Sequence, residues 1–363
     1  MSAASESVAS AGSTGAPPVF STPAAGTAAG TADRPATAGG TPAPTLSPGS
    51  TGVPPAPTVR AGTRPDVSIV IPAYNRADLL ERCLASLRGS VGATWEATVV
   101  DNASPEDLAP VRARFPDVRW LRREQNIGYA AANNLGLADA RGAAVCLLNS
   151  DAEVYPDTLA GCLAALAAHP EAAAVTPCNL GLDGLPQPFL SPEHTLLMAW
   201  LRDSGWHLLF PQRPPFRQWM LPDFDFTRVQ PVATTQTTCL VVRRAAHAAV
   251  GGMDPSLFLF YNDVDYCRKL RAQGGQILYL PTPLVLHHGS ASVDTAPWKE
   301  RRLWQDRYRF FHRWYGFPGA LGVRAACLHR GLTRALAQLA RGRPADAPRL
   351  VREGLALYRA LGG

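Results

Sequence analysis

The sequence lacks several features that would assign it to a common protein class. Its seven cysteines include no CxxC pair, which argues against a thiolate zinc site or a redox motif. No apolar run approaches the roughly 18 residues that are needed to span a bilayer. Residues 1–65 have almost no large apolar side chains and consist mainly of Ala, Ser, Thr, Gly and Pro. Such a segment cannot offset the entropy of ordering it, so we expect a disordered tail.

Lysine is also scarce relative to arginine, and basic residues outnumber acidic ones. The net charge is +6, and nearly all of the positive charge is arginine. This balance favours acidic partners such as diphosphates and anionic lipid surfaces. Without a nucleic-acid-binding motif, we do not expect nucleic acid as a partner. The cysteines lie mostly in apolar stretches, which is typical of buried thiols in a reducing compartment, so we expect a cytoplasmic protein.

From Val67 onward, apolar runs alternate with helical patterns. Val67–Pro72, Glu96–Asp101 and Ala144–Asn149 are β-branched or apolar runs typical of strands that are buried on both faces. Helices are predicted over Leu79–Arg88, Pro105–Phe115, Ala130–Ala140, Pro156–His169 and Asp263–Gln273. This alternation predicts an α/β fold with a mostly parallel sheet flanked by helices.

Polar residues follow three of the predicted strands. They are Tyr74–Asn75, Asp101–Asn102 and Asn149–Asp151. Ligands of open α/β sheets bind beyond the carboxyl ends of the strands, and three polar ends on one edge therefore predict a site there.

Three further patterns suggest chemistry, and each has a purely structural alternative. Asp151 could hold Mg²⁺ or Mn²⁺ against a diphosphate, or could cap the helix that begins near Pro156. His287 could complete a metal site with Asp151, or could be structural. Asp263 follows the aromatic run LFLFY, where it could serve as a partly desolvated general base or as an ordinary helix cap.

Taken together, the ordered blocks resemble family-2 glycosyltransferases of the GT-A fold, especially the rhamnosyltransferase-like branch. The blocks are VSIVIPAYNR, VVDNAS, NIGYAAANNLG, LLNSDAEV, CLVVRR, VGGMDPSLFLFYNDVDYCRKLR and VLHHGSAS. The resemblance implies a GT-A nucleotide-diphospho-sugar transferase domain over residues 66–316. The tail, residues 1–65, and two Arg-rich amphipathic helices, residues 317–363, lie outside it.

The resemblance also implies roles for individual residues. Asp263 would be the catalytic base, Asp151 and His287 would contact the metal, and Asp254 would support the active-site loop. Residues in contact with the nucleotide or sugar would be Pro72, Tyr74, Asn75, Asp101, Asn126, Gly128, Asn133, Asn134 and Asn149.

The sequence departs from the family pattern at two places. Asn262 stands where the family has Glu before the base, and Thr237-Thr238 replace a Gly-Ala pair, adding hydroxyls near the expected acceptor site. Two other functions were weighed. A nicotinamide oxidoreductase would need a glycine-rich turn after the first strand, and AYNRAD has none. A non-catalytic sugar-nucleotide-binding homologue remains the alternative, because Asn149 and Asn262 replace carboxylates.

The resemblance therefore implies an inverting transferase in cell-surface polysaccharide synthesis. Its donor would be a nucleoside-diphosphate sugar, with dTDP-rhamnose as the first candidate, and its acceptor a glycan or a lipid-linked sugar. The basic amphipathic helices at the C-terminus would either contact the inner face of the cell membrane or pack on the catalytic domain.

Overall fold

A computed structural model describes residues 64–203, 221, 224–289 and 297–361, and it has mixed α/β architecture. The strands are β1 (Val67–Ala73), β2 (Trp95–Asp101), β3 (Arg119–Arg122), β4 (Ala144–Leu148), β5 (Ala152–Val154), β6 (Ala172–Leu180), β7 (Leu190–Ser191), β8 (Gln230–Pro231), β9 (Thr234–Thr235), β10 (Cys239–Arg243) and β11 (Gln276–His287). The helices are α1 (Ala77–Arg88), α2 (Ala109–Arg114), α3 (Tyr129–Leu137), α4 (Thr158–Ala168), α5 (Leu196–Asp203), α6 (Arg244–Ala249), α7 (Asn262–Ala272), α8 (Pro297–Ala340) and α9 (Ala347–Ala360). The predicted tail lies outside the described residues.

The central sheet has nine strands in the order β3-β2-β1-β4-β10-β6-β11-β5, with β8 paired to β11. β1, β2, β3, β4, β6 and β11 run in one direction, whereas β5, β8 and β10 run against it. The predicted mostly parallel sheet is confirmed. It is mixed because β10 is inserted antiparallel between β4 and β6, and an apolar run carries no information about strand direction.

Two apolar cores cover the two faces of this sheet. On one face, Leu80 and Leu84 of α1 and Leu159 of α4 pack with Ile69 of β1. On the other face, α3 and α7 pack with alternate residues of the same strands, as with Tyr266 against the cluster around Val70. Because both faces are covered, β1 and β4 need apolar residues at nearly every position, which explains their unbroken apolar runs.

Most helix bounds agree with the predictions to within a few residues, and α2 is the exception. The predicted helix Pro105–Phe115 begins only at Ala109. The side chain of Asp107 accepts a hydrogen bond from the Ala109 amide at 2.9 Å, which forms a turn just before the helix. β6 extends from Ala172 to Leu180, and all nine of its residues are buried.

The C-terminal region contains one long bent helix followed by a second helix. The first of the two predicted amphipathic helices is the later part of α8, which already begins at Pro297. Gly316 interrupts α8 with φ 60° and ψ −149°, a conformation that L side chains rarely adopt. This bend falls at the predicted domain limit of residue 316.

The described ranges include no helix long and apolar enough to cross a bilayer. All seven cysteines are free and buried, which confirms that they act as small core side chains.

Candidate active site

The three predicted polar strand ends meet at one edge of the sheet. β1 pairs in parallel with β2 and with β4, and Ala73 at the end of β1 is in register with Asp101 at the end of β2. The Asn102 amide continues this pairing by donating to the Ala73 carbonyl at 2.9 Å. The edge that was predicted from the sequence is therefore present.

The loop after β1 is held in an unusual conformation. Asn75 and Arg76 both have φ near 60°, in the left-handed region. The Asn75 amide donates to the Ser104 hydroxyl at 3.0 Å, which ties this loop to the end of β2. Pro72 lies within β1, and the Tyr74 side chain is exposed beside it. This arrangement leaves the Tyr74 ring accessible at the sheet edge.

The loop after β2 is fixed by buried polar side chains. The Asp101 carboxylate accepts the Ser104 amide at 2.9 Å and pairs with Arg122. Asn102 donates to Asn126 at 2.9 Å and accepts the Ile127 amide at 2.8 Å. Asn102, Ser104 and Arg122 received no role in the sequence analysis. Asn102 appears there only as a polar strand end at the predicted site, and Ser104 appears only within the VVDNAS block.

Asn126 and Gly128 bring the start of α3 against the segment before α7. Asn126 accepts the Gly128 amide at 2.9 Å. Gly128 has φ 87°, and a Cβ there would lie 2.7 Å from the Phe258 carbonyl oxygen. The next amide, of Tyr129, donates to that carbonyl at 2.7 Å. Gly128 is therefore required for a close backbone contact as well as for its φ angle.

Asn133 and Asn134 are both placed on α3, but they differ in their surroundings. Asn133 is fully buried and donates to the Tyr129 carbonyl at 3.0 Å. Asn134 binds both backbone groups of Met253, donating to the carbonyl at 2.8 Å and accepting the amide at 2.9 Å. Asn134 thus fixes the GGMDP loop.

Asn149, at the end of β4, belongs to a buried hydroxyl network. The Tyr129 hydroxyl donates to Asn149 Oδ1 at 2.8 Å, and Thr237 Oγ1 donates to the Tyr129 hydroxyl at 3.0 Å. Thr238 is completely buried. The two threonines that depart from the family pattern therefore lie inside the protein, and the Thr237 hydroxyl is used by Tyr129.

Asp151 and His287, the two predicted metal contacts, face each other across neighbouring strands. Asp151 Oδ1 lies 3.5 Å from His287 Nε2, and both side chains are buried. Burial alone would raise the pKa of Asp151, but a hydrogen bond and positive charge from His287, together with a backbone donor and His288, hold the pKa below the usual range. The contribution of His287 applies to the imidazolium form, in which Nε2 carries a proton.

Gln187 determines which nitrogen of His287 carries the proton. Gln187 Nε2 donates to the His287 carbonyl at 3.0 Å, so its Oε1 must be the atom that lies 2.8 Å from His287 Nδ1. An amide oxygen only accepts, and Nδ1 therefore carries a proton. In neutral His287, Nε2 then presents a lone pair towards the Asp151 carboxylate.

Two electron-pair donors facing each other at this distance suit a cation. Carboxylate oxygen and imidazole nitrogen are both accepted by Mn²⁺, and Mg²⁺ sites use one or two carboxylates together with substrate phosphates. Within the described ranges no cluster of three or more His, Cys, Asp or Glu side chains is present. The pair thus fits a site whose other ligands come from phosphate oxygens and water.

Asp263 is the second residue of α7, within one residue of the predicted helix start. Its side chain is partly buried, and Oδ1 accepts the Val264 amide at 2.8 Å. Burial raises the pKa of Asp263 to about 6, against the opposing effect of the backbone donors. Such a carboxylate can take a proton near neutral pH.

Asp265 points to a different neighbour. It is fully buried and accepts the Trp314 indole N–H at 2.7 Å, with Arg313 at 3.6 Å. Its contacts are with α8, whereas Asp263 accepts the amide of Val264 in its own helix. The two carboxylates therefore occupy different environments.

Comparison with known proteins agrees with these features. The model of the family named Glycosyl transferase family 2 matches residues 68–223. An N-acetylglucosaminyl-diphospho-decaprenol L-rhamnosyltransferase of Mycobacterium tuberculosis is 29% identical over 248 residues, which cover 63% of this chain and 78% of that protein. An uncharacterised protein of Sinorhizobium fredii, y4gI, is 31% identical over 263 residues, 69% of this chain but only 28% of that protein. Residues 68–223 thus form a glycosyltransferase family 2 segment, and this match together with the relatives supports a glycosyltransferase.

Among solved structures, a mannosyltransferase from Pyrobaculum calidifontis in complex with GDP-Man and Mn²⁺ is similar to this chain. The sequence identity is 19%, the match covers 85% of this chain and 88% of that one, and the TM-score is 0.47.

Proposed function

We propose that residues 66–316 form the catalytic domain of an inverting glycosyltransferase that uses a nucleoside-diphosphate sugar. The observation that carries the proposal is the position of Tyr129. The charges of both Asp263 and Asp151 act on the pKa of Tyr129, which is raised mainly by burial. The candidate base and the candidate metal ligand are therefore both close enough to Tyr129 for their charges to act on it, which supports one site that holds donor and acceptor together.

The proposed reaction is a single displacement. Asp263 removes the proton of an acceptor hydroxyl, that oxygen attacks the anomeric carbon, and the nucleoside diphosphate leaves with the bonding electrons. Asp151 and His287 hold a divalent cation, which when bound neutralises the charge that develops on the diphosphate. One carboxylate beside the reacting hydroxyl is sufficient, unlike the paired carboxylates of glycosidases.

We propose the contacts with the nucleotide and the sugar from the residues that lie around the sheet edge where β1, β2 and β4 end. Tyr74 and Asn75 line the base and ribose pocket beside Pro72. Asp101 reads the base edge, and its pairing with Arg122 orients the carboxylate. Further contacts come from the residues of the α3 and β4 ends: Asn126, Gly128, Asn133, Asn134 and Asn149.

We propose the substrates from the rhamnosyltransferase of Mycobacterium tuberculosis, whose name states a sugar and an acceptor. The mycobacterial protein transfers rhamnose to a lipid diphosphate sugar, and we propose dTDP-rhamnose as donor and a lipid-linked or glycan acceptor here. The proposed role is cell-surface polysaccharide synthesis in the cytoplasm, at the inner face of the membrane.

A screen of nucleotide sugars tests this proposal. Each donor is assayed with Mn²⁺ for hydrolysis and for its effect on thermal unfolding. A donor at 100 times its dissociation constant stabilises the folded state by about 2.7 kcal/mol. Stabilisation and hydrolysis by the same nucleotide sugar are expected. Stabilisation by nicotinamide dinucleotides, or by no nucleotide sugar, would contradict the proposal.

A non-catalytic sugar-nucleotide-binding protein is the second candidate, because Asn149 and Asn262 stand at positions where the family has carboxylates. The two candidates differ in turnover. A donor that stabilises the protein but is never consumed, in the presence of a set of lipid-linked acceptors, would favour this second function.

A further inference from the structure

The C-terminal hairpin, defined here as residues 317–361, exposes a row of large apolar side chains. The second part of α8 packs against α9 in this hairpin. Five side chains of α8 remain 46% to 74% exposed: Phe317, Leu321, Leu332, Leu336 and Leu339. Exposed apolar side chains that are grouped in this way mark interaction sites.

These five residues form a single stripe. At about 100° per residue, their positions fall within an arc of about 100° on the helix. Ala320, Val323 and Cys327 are buried and lie on the other side of the same helix. The stripe is therefore a second apolar face, distinct from the face that packs on the rest of the protein.

The hairpin also carries the net positive charge of the protein. It contains eight arginines and two acidic residues, whereas residues 1–316 contain 27 residues of each sign. Arg341, Arg343, Arg352 and Arg359 are exposed. Packed helices lie about 8–10 Å apart, which is similar to the Debye length of about 10 Å at 0.1 M salt. The positive charge of these arginines is therefore still felt by a partner that contacts the stripe. Two copies of such a hairpin repel each other, and an anionic partner is attracted.

We propose that the hairpin docks on an anionic lipid bilayer, with the stripe at the boundary between headgroups and acyl chains. The leucines and Phe317 lose contact with water there, and the arginines approach lipid phosphates. The proposal involves no residue of the candidate active site, so it stands or falls independently of the proposed reaction.

Vesicle binding of the full chain is the test. Co-sedimentation is measured with phosphatidylcholine vesicles and with vesicles that also contain phosphatidylglycerol. Binding at least tenfold tighter to the anionic vesicles, and weaker at high salt, is expected. Equal recovery with both kinds of vesicle overturns the proposal.

Two variants separate the stripe and the charge. Leu332→Ser/Leu336→Ser should weaken vesicle binding more than tenfold, whereas Val91→Ser/Val229→Ser, which changes exposed side chains elsewhere, should not. Arg341→Gln/Arg343→Gln should also weaken it more than tenfold, since each arginine near the surface contributes about fivefold. Wild-type vesicle binding by the leucine variant, or a solution dimer that this variant abolishes, overturns the proposal. Unchanged melting of each variant shows that folding is retained.

Discussion

At the scale of single residues, Asp263 illustrates how two opposing effects set the chemistry of a carboxylate. The backbone donors at the start of α7 favour the charged form, and burial disfavours it. Burial is the larger effect, so the pKa of Asp263 rises to about 6. Asp263 is thus ionised at neutral pH, yet basic enough to accept a proton.

Replacing Asp263 should lower turnover with little change in donor affinity. General-base catalysis contributes about 10²–10⁴-fold, and we expect Asp263→Asn to lose a factor of that order. Asp265→Asn is the matched control, and its effect on turnover should be smaller because Asp265 contacts Trp314. Turnover and donor affinity of both variants are the measurements. Near-normal turnover of Asp263→Asn would exclude it as the base.

The raised pKa of Asp263 also predicts a dependence on pH. Turnover should rise with pH through about 6, as the base becomes ionised. Between its unfolded pKa of about 3.9 and about 6, the folded state binds more protons than the unfolded state, so stability falls as pH rises. Asp263→Asn should therefore be more stable than the wild type at pH 8 and equally stable at pH 4. Urea unfolding at both pH values checks this, and an equal difference at both would contradict it.

The contact between Gln187 and His287 predicts an effect on metal binding. Gln187→Met removes the acceptor that fixes the tautomer of His287, and partners of this kind typically change metal affinity by about 10–100-fold. We expect Mn²⁺ affinity, measured by titration calorimetry, to fall in that range. Gln276→Met, at the exposed opposite end of β11, is the control and should leave it unchanged. Equal affinities in both variants would show that Gln187 does not orient a metal ligand.

At the scale of elements, the first part of α8 holds the segment that presents the base. Asp306 is fully buried and accepts the amides of Leu259 at 3.0 Å and Phe260 at 3.1 Å. Arg307 donates to the Tyr261 hydroxyl at 2.8 Å. The first part of α8, which lies beyond the family match at residues 68–223, therefore helps to support the loop before the candidate base.

Asp306→Ala should reduce both stability and turnover. Two partly buried amides lose their acceptor, which costs on the order of 3 kcal/mol in the free energy of unfolding. Asp306→Asn keeps an acceptor oxygen and should have an intermediate effect on both quantities. Glu300→Gln, on the exposed side of the same helix, should cost under about 1 kcal/mol. Turnover is measured well below the melting temperatures, and full turnover of Asp306→Ala there would exclude a positioning role.

The elements that the sequence predicted well are those with a local signal. The three polar strand ends were found because parallel strands place their carboxyl ends together. The start of α7 was found from the acidic segment that follows the aromatic run LFLFY. The partners of the site residues were not predicted. Gln187 lies 100 positions before His287, and Asp306 lies 47 positions after Leu259. No periodic pattern connects residues at such separations, and only the folded chain brings them together.

At the scale of the whole molecule, the start of the described chain is fastened to the sheet. Arg64 donates to the carbonyls of Arg141 at 2.6 Å and Gly142 at 3.1 Å, and Asp66 accepts the Thr94 amide at 2.8 Å. These contacts lie just after the compositional change that ends the predicted tail.

Removal of the tail should leave the catalytic part intact. A chain that begins at Arg60 keeps these contacts, and we expect it to unfold cooperatively and to bind the donor as the full chain does. A chain that begins at Val67 loses them and should melt at a lower temperature. Calorimetric melting of the three chains is the measurement. Loss of cooperative melting on starting at Arg60 would show that the tail is part of the fold.

The bend at Gly316 divides α8 into a near part, residues 297–315, and a far part, residues 317–340. The near part of α8, before the bend, contacts the segment of Asp263. Asp306 and Arg307 bind the loop before α7, and Trp314 donates to Asp265 in α7. The far part extends over 24 residues, or about 36 Å at 1.5 Å per residue. The far part stays packed on the near part, because Val323 and Cys327 share a buried apolar core with Phe310 and Phe311. An ion pair between Arg330 and Glu300 also connects the two parts. The bend therefore folds one long helix back onto its own support, so that a load on the exposed stripe would be transmitted to the segment that carries the candidate base.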